Sequence, residues 1–338
     1  MATRLGPATE ADLTTAASST APPVRLWLQP AVIALVVVAA FVGCYVGLQR
    51  NPQPHRVPVA VAGQELSGEI RQGLGDSVDV HPVADAATGR AALERRDVVA
   101  ALSGGADSDR LRLEVGGANG QSTTSAVKSL IGAYAHGSSR RLTTVDVVPF
   151  ARFDSRGLAG FYMAFGVTLA GFVLAQNALG LANHLRLRHR FWLLSGASVA
   201  IGIVATVIAG PILGAVPAPV MPLAFGLTLL AAAAAFTTKL LGTYLGPVGV
   251  PVATLLLLTV GNSTSGATIG PDLLPSAARA VSALLPPGAA VRAVTDLSYF
   301  HGAQAVQPLA TLALWALIAA VLVSLRPRLR RRRTGVAT

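Results

Sequence analysis

Residues 158–183 run for 26 positions without one charged side chain, and the chain then passes at once into His184-Leu-Arg-Leu-Arg-His-Arg190. About 20 apolar residues are what an α-helix needs to cross a hydrocarbon core of about 30 Å. Lipid offers an unpaired backbone no hydrogen bonds, so only helices and closed barrels cross it. The run therefore predicts a membrane helix. Further apolar runs occupy 31–48, 191–213, 221–238, 240–260 and 308–325. The 240–260 run is broken by Gly242, Gly246, Pro247, Gly249 and Pro251, so its spanning part is expected to start near 247. Six crossings are predicted, at about 31–49, 158–183, 191–213, 221–238, 247–261 and 308–325.

Composition agrees with a polytopic membrane protein. Of 338 residues, 52% are hydrophobic and 13% charged, where soluble domains carry about 25% charged residues. The net charge of +11 is read as topological rather than as a nucleic-acid footprint, because Lys and Arg collect on cytoplasmic loops. Arg186, Arg188 and Arg190 place the second-to-third connection inside, Lys239 the fourth-to-fifth, and six arginines between 326 and 333 the C-terminus. With six crossings the N-terminus is inside as well, and 50–156 is extracytoplasmic. The bias toward Ala, Gly, Val and Arg suggests a genome rich in G and C. The one cysteine, Cys44, permits no disulfide within one chain.

Residues 1–30 are polar, rich in Ala, Thr and Pro, and read as a disordered cytoplasmic tail. The 31–49 run is expected to be an uncleaved anchor, since the region before it is long and no small-residue cleavage site follows promptly. Residues 50–156 hold most of the charge and alternate short β-rich runs with helical ones. Strands are predicted at 57–62, 78–83, 98–102, 111–115 and 145–148, and helices at 65–74, 86–95 and 124–135. That order suggests an α/β domain with some parallel pairing. Residues 157–325 make a five-span membrane domain, and 326–338 a basic cytoplasmic tail held by anionic lipid.

Between the last two spans lies a segment that is neither a span nor an ordinary loop, with two short amphipathic pieces inside 273–301. Val281, Leu284 and Leu285 share one face of the first piece, and Val291, Val294 and Leu297 one face of the second. Pro286, Pro287 and Gly288 split them. Each piece is too short to cross a bilayer, so the pair is expected to lie on the membrane surface or dip into it. This region, with Tyr299 and Phe300 as interfacial aromatics, is the candidate gating element. Arg292 and Asp296, four apart, are expected to pair.

Other features carry two readings. Ser198, Gly202, Thr206 and Gly210 form a small-residue stripe, and Gly160/Ala164, Gly166/Ala170 and Gly171/Ala175 repeat the spacing. Close packing within the bundle is the preferred reading and a homodimer face the other. Gln176 and Asn177 are intramembrane polar groups, read as interhelical hydrogen-bond partners rather than substrate ligands. No acidic or basic residue is expected deep in any span, which argues against an ion-coupled carrier. Asp154-Ser-Arg156-Gly157 reads as a polar turn. There is no GxxxxGK[ST], HExxH or GxSxG, and the six histidines show no ligand spacing. No catalytic, cofactor-binding or metal-binding residue is assigned, no cofactor is expected, and the chain is not read as an enzyme.

The segment GNSTSGATIGPDLLPSAARAVSALLPPGAAVRAVTDLSYFHG (261–302) is similar to a signature of ABC-2 type transporter permeases, in the phage-infection-protein-like and actinobacterial branch. The matching parts are the small-residue turn 261–266, Leu-Leu-Pro at 273–275, 284–291 and the aromatic ending Tyr299-Phe300. The junction VDVVPF (145–150) followed by FDSRGLAGFY (153–162) also resembles that family. The resemblance implies one span, an external α/β domain and five further spans. It also implies a permease dimer and a separate ATP-binding subunit that drives export of a hydrophobic or amphipathic compound or cell-envelope precursor. The other reading is a non-transporting envelope scaffold or receptor-like protein with a partner-binding outer domain.

Overall fold

The computed structural model describes residues 24–50, 52–104, 109–181 and 184–334, with the backbone alone at 24–27 and 326–334. Five helical runs are long and apolar enough to cross a membrane: Leu28–Gln49, Ala159–Gly180, Leu187–Ile212, Val220–Ser263 and Val306–Leu325. A five-stranded sheet with flanking helices is inserted after the first of them.

The sheet domain is built from β1 (Val57–Ala62), α2 (Gln64–Leu74), β2 (Val78–Val83), α3 (Ala86–Glu94), β3 (Ala100–Ser103), β4 (Arg110–Val115), α4 (Gln121–Gly137) and β5 (Arg141–Asp146). Strand order is β2-β1-β3-β4-β5. β1 pairs in parallel with β2 and β3, β3 antiparallel with β4, and β4 in parallel with β5. The pleat sends alternate side chains to opposite faces. Val57, Val59 and Val61 thus face Leu66, Ile70, Val127 and Ile131 of α2 and α4. Ala60 and Ala101 face Leu93 of α3. Each fully buried Val, Leu or Ile contributes about 2 kcal/mol. The predicted last strand was 145–148; the observed one is 141–146. Its burial alternates weakly because it is an edge strand with polar Thr143 and Thr144, so the apolar Val147-Val148 that follows outweighed it in sequence.

The helical bundle centres on α7 (Val220–Leu245), which packs against α5 (Ala159–Gly180), α6 (Leu187–Val207) and α12 (Val306–Thr334). The small-residue stripe explains the closeness. A Cβ on Gly171 would lie 2.6 Å from the Ala231 carbonyl oxygen, and one on Gly202 would lie 2.6 Å from the Thr228 nitrogen. That face of α6 therefore packs within the bundle. α1 (Val24–Gln49) stands apart, touching the bundle near 254–263 and otherwise exposing its apolar side chains.

Two expectations change, those for 1–30 and for the fourth and fifth crossings, and the basic tail gains a helical backbone. Of the tail predicted over 1–30, residues 1–23 lie outside the described ones, and 24–30 are helical in backbone as part of α1. The 326–338 tail is helical in backbone through Thr334, because a helix already formed extends readily through arginine; 335–338 lie outside. The predicted fourth and fifth crossings form one apolar stretch of 44 residues, Val220–Ser263. It doubles back at Gly246, whose φ of 63° suits glycine. The return comprises α8 (Gly249–Ala253), a π-helical run Thr254–Val260 and α9 (Gly261–Ser263).

Candidate functional site

The candidate gating element folds as α10 (Ser276–Leu284) and α11 (Pro286–Tyr299). Pro286-Pro287-Gly288 is not the break between them. These residues are the first turn of α11, and the break is the single extended residue Leu285 (φ −84°, ψ 146°). Proline lacks the N–H that a first turn leaves unused, and it drives the residue before it out of helical geometry. The turn is fully buried. A Cβ on Gly288 would collide with the Ser282 carbonyl oxygen, and one on Gly261 would lie 2.8 Å from Pro287 Cγ. α11 therefore starts wedged against α10 and α9. Leu284 is 67% exposed, and its carbonyl accepts from Trp315 Nε1 at 2.7 Å.

α11 is also the seat of the sheet domain. Asp296 is 2% exposed, and its Oδ1 lies 3.0 Å from Nη1 of Arg96, just past α3. The expected Arg292–Asp296 pair is thus replaced by a pair between domains. Arg292 turns the other way and donates to the carbonyls of Ser282 (3.2 Å) and Ala283 (3.1 Å) at the end of α10. Burial pulls the Arg292 guanidinium below its ordinary pKa, Arg96 adds to that, and Asp296 opposes it. Arg96 has φ 63°, a left-handed value uncommon outside glycine and asparagine. It is held there by its contacts. Its Nε donates to Asn119 Oδ1 (3.3 Å), its guanidinium lies 5.2 Å from the Phe300 ring centroid, and Gln304 Nε2 donates to its carbonyl (3.0 Å).

Tyr299 and Phe300 therefore belong to this junction rather than to the lipid interface. Phe300 is buried beneath Arg96. The Tyr299 hydroxyl accepts from the Ala151 amide (3.4 Å) and donates to Asp154 Oδ2 (3.5 Å), with Phe150 edge-on at 5.9 Å. Asp154 Oδ1 in turn accepts from the amides of Leu158 (2.9 Å) and Ala159 (3.0 Å), capping α5. The predicted polar turn is thus a helix cap tied to α11. Two further hydrogen bonds fasten the sheet domain nearby: Ser122 Oγ to the Thr268 carbonyl (3.1 Å) and the His55 amide to the Asp272 carbonyl (3.0 Å).

Two concavities lie near the start of α5, with no lining residue in common. One is a polar cavity of about 50 Å³ whose walls include Arg96, Asn119, Asp154, Ser265, Arg292 and Tyr299. The other is an apolar groove of about 680 Å³ between α5 and α6, walled by Gly166, Ala170, Ala200, Val204 and Ala205 among others.

At the far end of the bundle, the intramembrane polar residues are not brought together as expected. Asn177 is exposed and donates to the carbonyl of Val173 in its own helix (2.9 Å), not across helices. Gln176 is half-buried. The charge missed in the spans is Lys239. Its side chain is 2% exposed and Nζ donates to the Ala178 carbonyl (3.2 Å) between α7 and α5. The apolar pattern pauses there and predicts a connection, whereas α7 continues to Leu245. Its rarity was the available signal, as one of only two lysines. Arg96 offered none, sitting in an ordinary charged Arg95-Arg96-Asp97 turn. Among the described residues no group of three or more His, Cys, Asp or Glu comes together as a metal site.

No protein-family model, curated protein or solved structure matches the chain, so the resemblance to ABC-2 permeases rests on the sequence motifs that carry it.

Proposed function

We propose that this chain is the membrane subunit of an ABC-2-like exporter in a bacterial plasma membrane, acting as a dimer and driven by a separate ATPase. The supporting observation is the position of α11. It is buried against α5, α7 and α12 on one side and carries the sheet domain on the other through Asp296 and Tyr299. A change in the angle of α11 would move the sheet domain and the head of α5 together. In this reading the doubled-back stretch Val220–Ser263 crosses twice, giving six crossings. The basic 184–190 connection and the arginine-rich 326–333 segment then face the cytoplasm and the sheet domain faces out.

One observation favours the scaffold reading. The connections that would face the cytoplasm are short: α5 ends at Gly180 and α6 starts at Leu187, while α7 ends at Leu245 and α8 starts at Gly249. They offer little surface to an ATPase.

Purification from the native host in mild detergent separates the two. An ATP-binding protein recovered in equal amount, with ATP-dependent movement of amphiphile in vesicles, is the exporter result. Reproducible recovery of a different envelope protein and no ATPase would overturn it in favour of the scaffold.

A further inference from the structure

We propose that Arg190 and Lys239 hold the phosphate of an anionic phospholipid, at the end of the bundle where the 184–190 connection lies. The site does not depend on the exporter reading. It needs only that α5, α6 and α7 lie in a bilayer.

The chain gives these two cations no counter-charge from its membrane part. No Asp or Glu occurs between 155 and 271 or between 297 and 338. Apart from Glu10 and Asp12, the acidic residues lie in 65–146 and at Asp154, Asp272 and Asp296. The last three belong to the junction at the opposite end of the bundle. Asp154 caps the start of α5, the Asp272 carbonyl accepts from the His55 amide, and Asp296 pairs with Arg96.

Lys239 is 2% exposed, and its Nζ, which carries three N–H donors, has one described partner, the Ala178 carbonyl at 3.2 Å. Arg190, in the first turn of α6, is half-buried and stands close enough for the two like charges to act on each other. Its Nε is buried without a hydrogen-bond partner among the described residues. Two neighbouring cations taken out of water, with no carboxylate beside them, are costly unless an anion joins them.

Depth says which anion. From Val220 to Lys239 α7 rises about 28 Å, at about 1.5 Å per residue, and α5 rises as much from Ala159 to Ala178. A hydrocarbon core is about 30 Å thick, so the Lys239–Ala178 contact lies at its far boundary, where the headgroups begin. Trp192, two residues past Arg190, is 72% exposed, and exposed tryptophan favours that same level. A soluble acidic protein meets the exposed Arg186 and Arg188 first, whereas a lipid phosphate already stands at the depth of Arg190. The guanidinium fork matches a phosphate with two parallel hydrogen bonds. Lys239, more deeply covered, adds its charge behind the fork. A cation that served only to set topology would respond to no particular headgroup.

The test is thermal unfolding and native mass spectrometry of the full chain in mild detergent, titrated with phosphatidylglycerol. Phosphatidylcholine of the same acyl chains and inorganic phosphate are the comparisons. Phosphatidylglycerol should raise the melting temperature and stay bound as a single lipid per chain, and neither comparison should do so. Arg190→Gln and Lys239→Met should each weaken phosphatidylglycerol binding about tenfold. Their melting temperatures in phosphatidylcholine should be no lower than the parent's, so that the loss is one of binding. Arg186→Gln with Arg188→Gln removes more charge, but from exposed side chains, and should change binding by less than about twofold.

Equal stabilisation by phosphatidylcholine, or an equal loss in the Arg186, Arg188 double variant, would reduce the cluster to diffuse charge and overturn the proposal. Saturation by inorganic phosphate without lipid would overturn the lipid source in favour of a soluble phosphate. Glu10 and Asp12 precede the described residues. If Glu10→Gln with Asp12→Asn destabilises the parent and phosphatidylglycerol has no effect, the counter-charge is the chain's own and the proposal fails. An acidic protein that copurifies with the parent and is lost from Arg190→Gln, again with no effect of phosphatidylglycerol, would overturn it as well.

Discussion

Arg96 Nη1 lies 3.0 Å from Asp296 Oδ1, and this contact joins the sheet domain to α11 with the carboxylate 2% exposed. Removing one partner of a buried pair leaves an uncompensated charge and costs about 3 kcal/mol or more. Arg96→Ala should therefore lower the thermal stability of the detergent-solubilised protein and expose the junction near 150–157 to protease. Adding Asp296→Asn removes the stranded charge and should recover about half of the loss. Additive effects of the two substitutions would show that the pair does not couple the domains.

Gly288 marks where α11 and α10 come closest. A side chain there meets the Ser282 carbonyl oxygen, which as backbone cannot step aside. Gly288→Ala should cost about 1–3 kcal/mol through overpacking. Pro286→Ala with Pro287→Ala acts differently. It restores the missing N–H groups and frees Leu285 to become helical, so α10 and α11 should fuse. A spin-label pair on Ala278 and Ser298 would read the fusion as a longer distance. An unchanged distance would mean that packing, not proline, sets the break.

The helical runs and most strands are written in periodicity, because a bilayer and a half-buried pleat each impose one local pattern. Val57, Val59 and Val61 alternate in sequence as they do in the sheet. β5 was misplaced because an edge strand buries too little to show that alternation. The pair at Pro286 was found, but its break moved by one residue, since proline acts on the residue before it. The junction was not legible. Arg96 and Asp296 are distant in sequence, and nothing local distinguishes either from a solvated charge. The groove was half visible, as Gly166 and Ala170 at small-residue spacing, but the spacing could not say that this pair leaves a slot while Gly171 and Gly202 close one.

Lys239 is a buried cation whose Nζ has one carbonyl partner, Ala178. Replacing a buried charge by an apolar side chain of similar length is often neutral or stabilising. Lys239→Met keeps the stem packing and should leave the melting temperature equal or higher, while Lys239→Glu should prevent recovery of folded protein. If Lys239→Met instead destabilises by about 2 kcal/mol or more, the cation is holding α5 and α7 together, and the ion-coupled reading dismissed for want of intramembrane charge would need to be reopened.

Glu69 gives the sheet domain a pH signature. Its carboxylate accepts from Arg140 Nη1 and from the Tyr134 hydroxyl, both at 2.8 Å. The Arg140 hydrogen bond foremost, then that of Tyr134, holds the carboxyl below its ordinary 4.5. A carboxyl with a lower pKa folded than unfolded binds fewer protons when folded. Its stabilisation is therefore complete above about 4.5 and is lost as pH falls through the folded value. The side chain is 36% exposed, so solvent screening limits the effect to about 0.5 kcal/mol. Glu69→Gln should be slightly less stable than the parent at neutral pH and converge with it in acid. Hydrogen exchange in α2 and α4 of the full chain, followed from about pH 7 to about pH 4, would read the convergence. A gap that persists or widens in acid would show that Glu69 acts through packing rather than through its charge.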